Sequence, residues 1–170
     1  MNGEQEVMRT HDSDVPDKAR DIAENIHDKV DKIAPFLAFV RQRRLGAGAD
    51  VTNALDDTIA GLEATLFRSR NALAALAGKP LHTSTERARP IEHWMMAMIR
   101  PTEINIQLMD YWIASLVDMK RLYDNPPVPL LEGEDYDEIR RRHRTWIEHE
   151  LRANSVARER AAAALAALKG

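Results

Sequence analysis

Apolar residues recur along this chain at intervals of three and four, which is the spacing of one face of an α-helix. The pattern predicts four long helices, over residues 14 to 45, 50 to 77, 90 to 123 and 135 to 168. The buried face of the first would consist of Ile22, Ile26, Val30, Ile33, Leu37 and Val40. The second carries an almost unbroken heptad of Leu55, Ile59, Leu62, Leu66, Leu73 and Leu76. No segment alternates as a β-strand would, so the sequence predicts an all-α protein.

Capping residues and prolines define the expected ends and irregularities of these helices. Asp14, Asp50 and Asp135 are placed to act as N-caps. Pro35 and Pro101 fall inside the first and third helices, where each removes a backbone donor and should kink or divide the helix. We therefore expect an elongated antiparallel four-helix bundle, with five helices if the chain is split at either proline.

The third helix is predicted to be the central one. Its segment from Trp94 to Ile99 is apolar on every side, which a helix tolerates only if its neighbours cover it all round. We expect this helix to share one core with the second helix, formed by Trp94, Trp112, Leu62 and Leu66.

Length and composition favour one domain in the cytoplasm. A chain of 170 residues builds one core, over residues 14–170, and residues 1–13 are polar and without periodicity, as a flexible tail would be. The chain has no cysteine, no secretory signal and no apolar run long enough to span a membrane. Its net charge of −3 does not indicate a surface built for nucleic acid, and its preference for arginine over lysine suggests a bacterial source.

An arginine and a histidine stand five residues apart on the last predicted helix, in the segment from Arg144 to His149. This spacing resembles the motif of the HEPN ribonuclease superfamily, whose small four-helix domains dimerise. The resemblance covers six residues and implies a metal-independent ribonuclease, in which Arg144 would hold the scissile phosphate and His149 would transfer a proton. In that family a polar residue, often Asn, commonly follows the arginine, and here it is Thr145. On a straight helix the two side chains point about 140° apart, as on an exposed charged face.

A basic cluster on the same helix could bind a phosphate backbone beside Trp146. It consists of Arg140, Arg141, Arg142 and Arg144. However, Asp135, Asp137 and Glu138 precede it at spacings that pair acids with arginines along a helix. We therefore favour intrahelical ion pairs over nucleic-acid binding.

Metal binding and ligand binding are weaker alternatives. Glu24 and His27 have the Glu-x-x-His spacing of di-iron bundles, but that pattern needs two such motifs and the sequence has one, so we expect no metal site and no cofactor. Methionine side chains adapt to irregular surfaces and could line a pocket for an apolar ligand, although filling of the core is favoured. The candidate pocket residues are Met95, Met98, Met109, Trp112, His143 and Glu150.

The interpretation we favour is a non-catalytic helical subunit that associates with itself or with another protein. After Ala153 the last helix presents a thin face of small residues, which allows a second helix to approach closely. The expected interface consists of Ala153, Ala157, Ala161, Ala164 and Leu168. The alternative is that these alanines pack on the chain's own third helix.

Overall fold

The computed structural model describes residues 17–84, 88–126 and 133–170, and it confirms an all-α four-helix bundle. The helices are α1 Asp17–Leu45, α2 Ala49–Leu76, α3 Glu92–Asp124 and α4 Glu134–Lys169. No strand occurs in these three ranges. The expected tail over residues 1–13 and the expected cap Asp14 lie outside them.

The four helices occupy the corners of a square in the order α1, α2, α4, α3. α1 packs on α2 and α3, and α4 packs on the same two helices, while α1 and α4 touch little. α3 is therefore not the central helix, as the sequence suggested, because each helix has two main neighbours. A short turn makes α1 and α2 antiparallel, and α4 pairs with α3 from Arg144 beside Asp124 to Lys169 beside Glu103. Every helix is thus antiparallel to both of its neighbours.

The connection between α2 and α3 folds back along α2 before α3 begins. The amide of Asn71 holds it twice, donating to the His82 carbonyl at 2.9 Å and accepting from the His82 N–H at 2.8 Å. Further on, the Ile91 N–H donates to the hydroxyl of Thr65 at 2.8 Å. The side chain of Ile91 lies against Gly61, which leaves room because it has no Cβ. α3 consequently begins level with the middle of α2 and runs parallel to it across the diagonal.

Two clusters of buried side chains form the core. One joins the second half of α1 to the middle of α2 and contains Ile33, Leu37, Val40, Leu62 and Leu66, with Trp94 of α3 packed against it. The larger one joins all four helices and includes Ile22, Ala72, Met98, Met109, Ala161 and Leu168. The expectation that Trp112 shares the core of Trp94 is wrong, because Trp112 lies near the start of α1 and is 40 % exposed.

Both prolines lie inside unbroken helices, so the predicted division into five helices does not occur. Proline leaves the carbonyl four residues earlier without its helical donor. For Pro35 that carbonyl belongs to Asp31, on the exposed side of α1, where water can bind it. For Pro101 it belongs to Ala97, and the side-chain amide of Asn25 on α1 donates to it at 3.5 Å. A polar contact between helices thus replaces the bond that Pro101 removes.

This replacement predicts energetic coupling between Asn25 and Pro101. Asn25→Ala should cost roughly 1 kcal/mol of unfolding free energy when Pro101 is present. In a Pro101→Ala background the new backbone N–H bonds the Ala97 carbonyl itself, so the cost of Asn25→Ala should shrink by about half or more. Urea denaturation of the four proteins in a double-mutant cycle measures the difference.

Pro35→Ala is the matched control, since the carbonyl freed by Pro35 lies away from Asn25. Its effect should add to that of Asn25→Ala. If the effect of Pro101→Ala also simply added to that of Asn25→Ala, the assigned contact between Asn25 and the Ala97 carbonyl would be contradicted.

Candidate protein interface

α3 and α4 extend past the ends of the other two helices. α1 begins at Asp17, which shares a pocket wall with Leu108 and Trp112 of α3 and with Glu150 of α4. α2 ends at Leu76, and Arg160 of α4 lies against Gly78 just after it. We call residues 108–124 of α3 and 134–153 of α4 the arm. At 1.5 Å per residue its two segments are about 25 and 30 Å long.

The arm is held together by contacts between its own two helices. Leu116 of α3 and Ile147 of α4 are buried in it. The Tyr123 hydroxyl and the His143 Nδ1 share a hydrogen bond of 2.7 Å, and the Arg144 guanidinium lies 2.9 Å from the Asp124 carboxylate. Two paired helices can bury only the side of each helix that faces the other. The remaining sides are exposed unless another part of the chain or another molecule covers them.

On α4, one row of residues passes from covered to uncovered where α2 ends. Residues seven apart lie along one line of a helix, and this line contains Tyr136, His143, Glu150, Ala157 and Ala164. Ala157 and Ala164 are buried in the core with side chains of α2, whereas Tyr136 and His143 are exposed. Ile139 and Trp146, beside this row, are also exposed. These side chains occupy the face that α2 covers further along the same helix.

α3 repeats the same arrangement with respect to α1. Trp94, Pro101, Leu108, Ser115 and Leu122 are seven apart. Trp94 packs against the cluster that contains α1 side chains, while Leu108 and Leu122 are exposed, together with Tyr111 and Trp112. We call the exposed set on both helices the open face of the arm: Leu108, Tyr111, Trp112, Leu122, Tyr136, Ile139, His143 and Trp146.

The interface expected from the sequence lies inside the chain. Ala157, Ala161, Ala164 and Leu168 are buried in the larger core cluster, and Ala153 is half-buried. The small side chains therefore allow the chain's own α2 to approach α4 closely, and this face is not open to a second molecule.

The expected ligand pocket is assembled only in part. Met109, Trp112 and Glu150 line a pocket of about 440 Å³ beside the start of α1, together with Asp17, Lys18, Leu108, Tyr111 and Asn154. Met95 and Met98 are buried in the core instead. His143 is two helical turns away along the arm, bonded to Tyr123.

Arg144 and His149, the pair that resembles the HEPN motif, are not brought together. Arg144 is directed toward α3 and pairs with Asp124 at 2.9 Å, and with Glu148 of its own helix at 3.5 Å. His149 is exposed, and its nearest acidic partner is Glu150 at 4.0 Å. The arginine that would hold a phosphate is already paired with two carboxylates.

The remaining arginines of the basic cluster form the intrahelical pairs expected from the sequence. Arg140 pairs with Asp137, and both Arg141 and Arg142 pair with Glu138, at 2.7 and 2.8 Å. Two carboxylates within one turn of α4 thus neutralise most of the charge of these three arginines. The side chain of Asp135 lies outside the described part of the chain.

Within the described ranges, no three His, Asp or Glu side chains converge as a metal site would require. His27 and Glu24 are exposed on α1, where Glu24 approaches Arg20 at 3.9 Å. None of the described helices carries an apolar segment long enough to cross a membrane. Comparison with protein-family models, curated proteins and solved structures yields no match to the chain.

An ion pair at the base of the arm predicts a pH dependence of stability. Arg158 donates to the Asp110 carboxylate at 2.8 and 3.3 Å, and this hydrogen bond lowers the pKa of Asp110. A carboxyl group whose pKa is lowered by folding stabilises the folded state at pH values above its unfolded pKa of 3.8. This stabilisation is lost as the pH falls through the pKa of the folded state. Both side chains are partly exposed, so we expect less than about 1 kcal/mol.

Asp110→Asn should therefore reduce the unfolding free energy at pH 7, and its effect should be smaller near pH 2, below the unfolded pKa of 3.8. Urea denaturation at both pH values measures this. The control is Asp118→Asn, whose described ion pair is with Arg121 of its own helix. If the wild type and Asp110→Asn differ equally at both pH values, the pair does not join α3 to α4 as described.

Proposed function

We propose that this protein is a non-catalytic helical subunit that works by association, with itself or with another protein, through the open face of the arm. The observation that carries the proposal is the exposure of large apolar side chains on the arm, where Trp112, Tyr136 and Trp146 lie on helix faces that are covered elsewhere in the same helices. Tyr111 is on a line of α3 that is also exposed before the arm, at Ile104. Tyr111, Trp112, Tyr136 and Trp146 are 76, 40, 47 and 43 % exposed. Patches of exposed apolar side chains mark interaction sites in soluble proteins.

The residue types on the open face also suit an interface. Aromatic side chains are enriched at the centres of protein interfaces, because each buries a large area and loses little conformational entropy. His143 and Glu150 add polar groups in the same row, which can fix the register of a partner helix. The alanines near the end of α4 no longer support association, since the chain's own helices cover them.

The ribonuclease alternative receives less support. A phosphate bound at Arg144 would have to displace Asp124 and Glu148 from the guanidinium. The proposal of association requires no such rearrangement, because the side chains of the open face are already exposed.

Two adjacent residues of α4 offer a test of whether the open face is free in the single chain. Ile147 is 1 % exposed, whereas its neighbour Trp146 is on the open face. At a protein concentration where the mass is that of a monomer, Trp146→Lys should reduce the unfolding free energy by only about 1–2 kcal/mol, because the chain covers part of this side chain. Ile147→Lys should abolish cooperative unfolding or cost several kcal/mol, since it buries a charge.

Urea denaturation followed by circular dichroism gives both values. If Trp146→Lys destabilised the monomer as much as Ile147→Lys, the chain itself would cover Trp146. The open face would then not be an interaction surface, and the proposed function would lose its support.

A further inference from the structure

We infer that the pocket beside the start of α1 binds a small organic cation, in which an ammonium group is joined to an apolar body. The pocket has a volume of about 440 Å³, which is in the range of sites for small molecules. This inference goes beyond the proposed association and needs no second protein, although Leu108, Tyr111 and Trp112 belong to both the pocket and the open face. One buried amide, one carboxylate without a cationic partner and two aromatic rings point to this ligand.

The buried polar group of the pocket is the side-chain amide of Asn154. Asn154 is 5 % exposed, and its Nδ2 donates to the Glu150 carbonyl at 2.8 Å and to the Glu150 carboxylate at 3.2 Å. Both partners are acceptors, so they fix the orientation of the amide with its NH2 group toward Glu150. The Asn154 Oδ1 has no hydrogen-bond partner among the described residues. Because buried polar atoms normally have partners and Asn154 lines the pocket, this oxygen is an acceptor for a donor bound there.

The Glu150 carboxylate is the second acceptor in the pocket, and it carries negative charge. Its side chain is only 23 % exposed. In the described part of the chain no lysine or arginine nitrogen lies within ion-pair distance of this carboxylate, and the exposed His149 ring approaches it at 4.0 Å. A charge that is partly removed from water interacts more strongly with an opposite charge than an exposed one does. A ligand cation would therefore gain more at Glu150 than at a carboxylate on the open surface.

The charged residues of α1 in the pocket wall do not provide this cation. The Lys18 ammonium lies 3.3 Å from the carboxylate of Asp21, one turn further along α1. The Asp17 carboxylate accepts a hydrogen bond from Arg20 at 2.8 Å. Since both residues are paired within their own helix, Glu150 is the group whose charge selects the ligand, and it selects a cation over an anion.

The rest of the pocket wall is apolar or aromatic. Trp112 and Tyr111 of α3 are 40 and 76 % exposed, and the face of an indole ring attracts a cation more strongly than that of any other side chain. Leu108 and Met109 also line the pocket, and a methionine side chain adapts to the shape of an apolar group. These residues suit a ligand such as an aralkylamine, whose ammonium group would donate to Glu150 and Asn154.

Isothermal titration calorimetry of the full chain with 2-phenylethylamine as the probe tests this inference. The matched probes are 2-phenylethanol and phenylacetate, which have the same aromatic body but are neutral and negatively charged. The amine should bind with a dissociation constant in the millimolar range or below, as expected for a ligand of this size. It should bind at least about tenfold more tightly than either matched probe, because only the amine brings a positive charge to Glu150.

Glu150→Gln removes the charge but keeps a side-chain oxygen that can accept from Asn154. It should weaken binding of the amine at least about tenfold and change binding of 2-phenylethanol less than about twofold. The control is Glu148→Gln, since Glu148 lies 3.5 Å from Arg144 and outside the pocket wall. This control should change binding of the amine less than about twofold.

The other outcomes overturn the inference in distinguishable ways. Equal binding of the three probes, or no binding of 2-phenylethylamine, would exclude a cation site. Binding of the amine that is unchanged in Glu150→Gln would place the cation elsewhere on the protein. Tighter binding of Nα-acetyl-lysine amide than of 2-phenylethylamine would assign the pocket to a lysine of another protein. Trp146 lies outside the pocket wall, so the test with Trp146→Lys still decides the proposed function separately.

Discussion

Two polar contacts fix the level at which α3 begins, and the shape of the molecule depends on that level. The Asn71 amide and the Thr65 hydroxyl hold the chain after α2 so that it runs back along that helix. α3 therefore starts level with the middle of α2 and, being 33 residues long, continues far beyond the end of α2. α4 returns along α3 over 36 residues and shares the same overhang. The arm is thus a consequence of helix offset, and it needs no separate domain.

The composition of α4 changes where its surroundings change. In the half that contacts α2, alanines keep the two helix axes close and bury little area per residue. In the half that forms the arm, the corresponding face carries Tyr136, Ile139 and Trp146. Large apolar side chains on an uncovered helix face are costly to leave in water, and they gain most when a partner covers them. The same helix therefore contributes to the chain's own core at one end and leaves large apolar side chains exposed at the other, where we propose the binding surface.

The sequence was sufficient to predict the elements of the fold but not which faces are covered. Periodicity located all four helices within a few residues, because each seam repeats at helical spacing. The seven-residue spacing continues from Trp94 to Leu122 and from Tyr136 to Ala164, so spacing alone could not show where α1 and α2 end. This is why Trp112 was assigned to the core, and the alanines of α4 to an interface.

Other features lay beyond sequence reasoning because they depend on contacts between distant residues. The effect of Pro101 is offset by Asn25, which is 76 positions away, and no local pattern indicates this. Leu108, Tyr111 and Leu122 were not selected as site residues, although their spacing with Trp94 could have suggested a continuous face. The predicted lengths are 32 residues for the first helix, 28 for the second and 34 for each of the last two. These lengths would have indicated only a small extension of the last two helices beyond the first two.

The most direct test of the account is the accessibility of two adjacent positions of α4 in the single chain. Because the chain has no cysteine, Trp146→Cys and Ile147→Cys each introduce one thiol. Trp146 is 43 % exposed and Ile147 is 1 % exposed, so a maleimide reagent should label the protein with Trp146→Cys much faster than the protein with Ile147→Cys under native conditions. Equally slow labelling of both proteins would show that the chain itself covers position 146, and it would contradict the account.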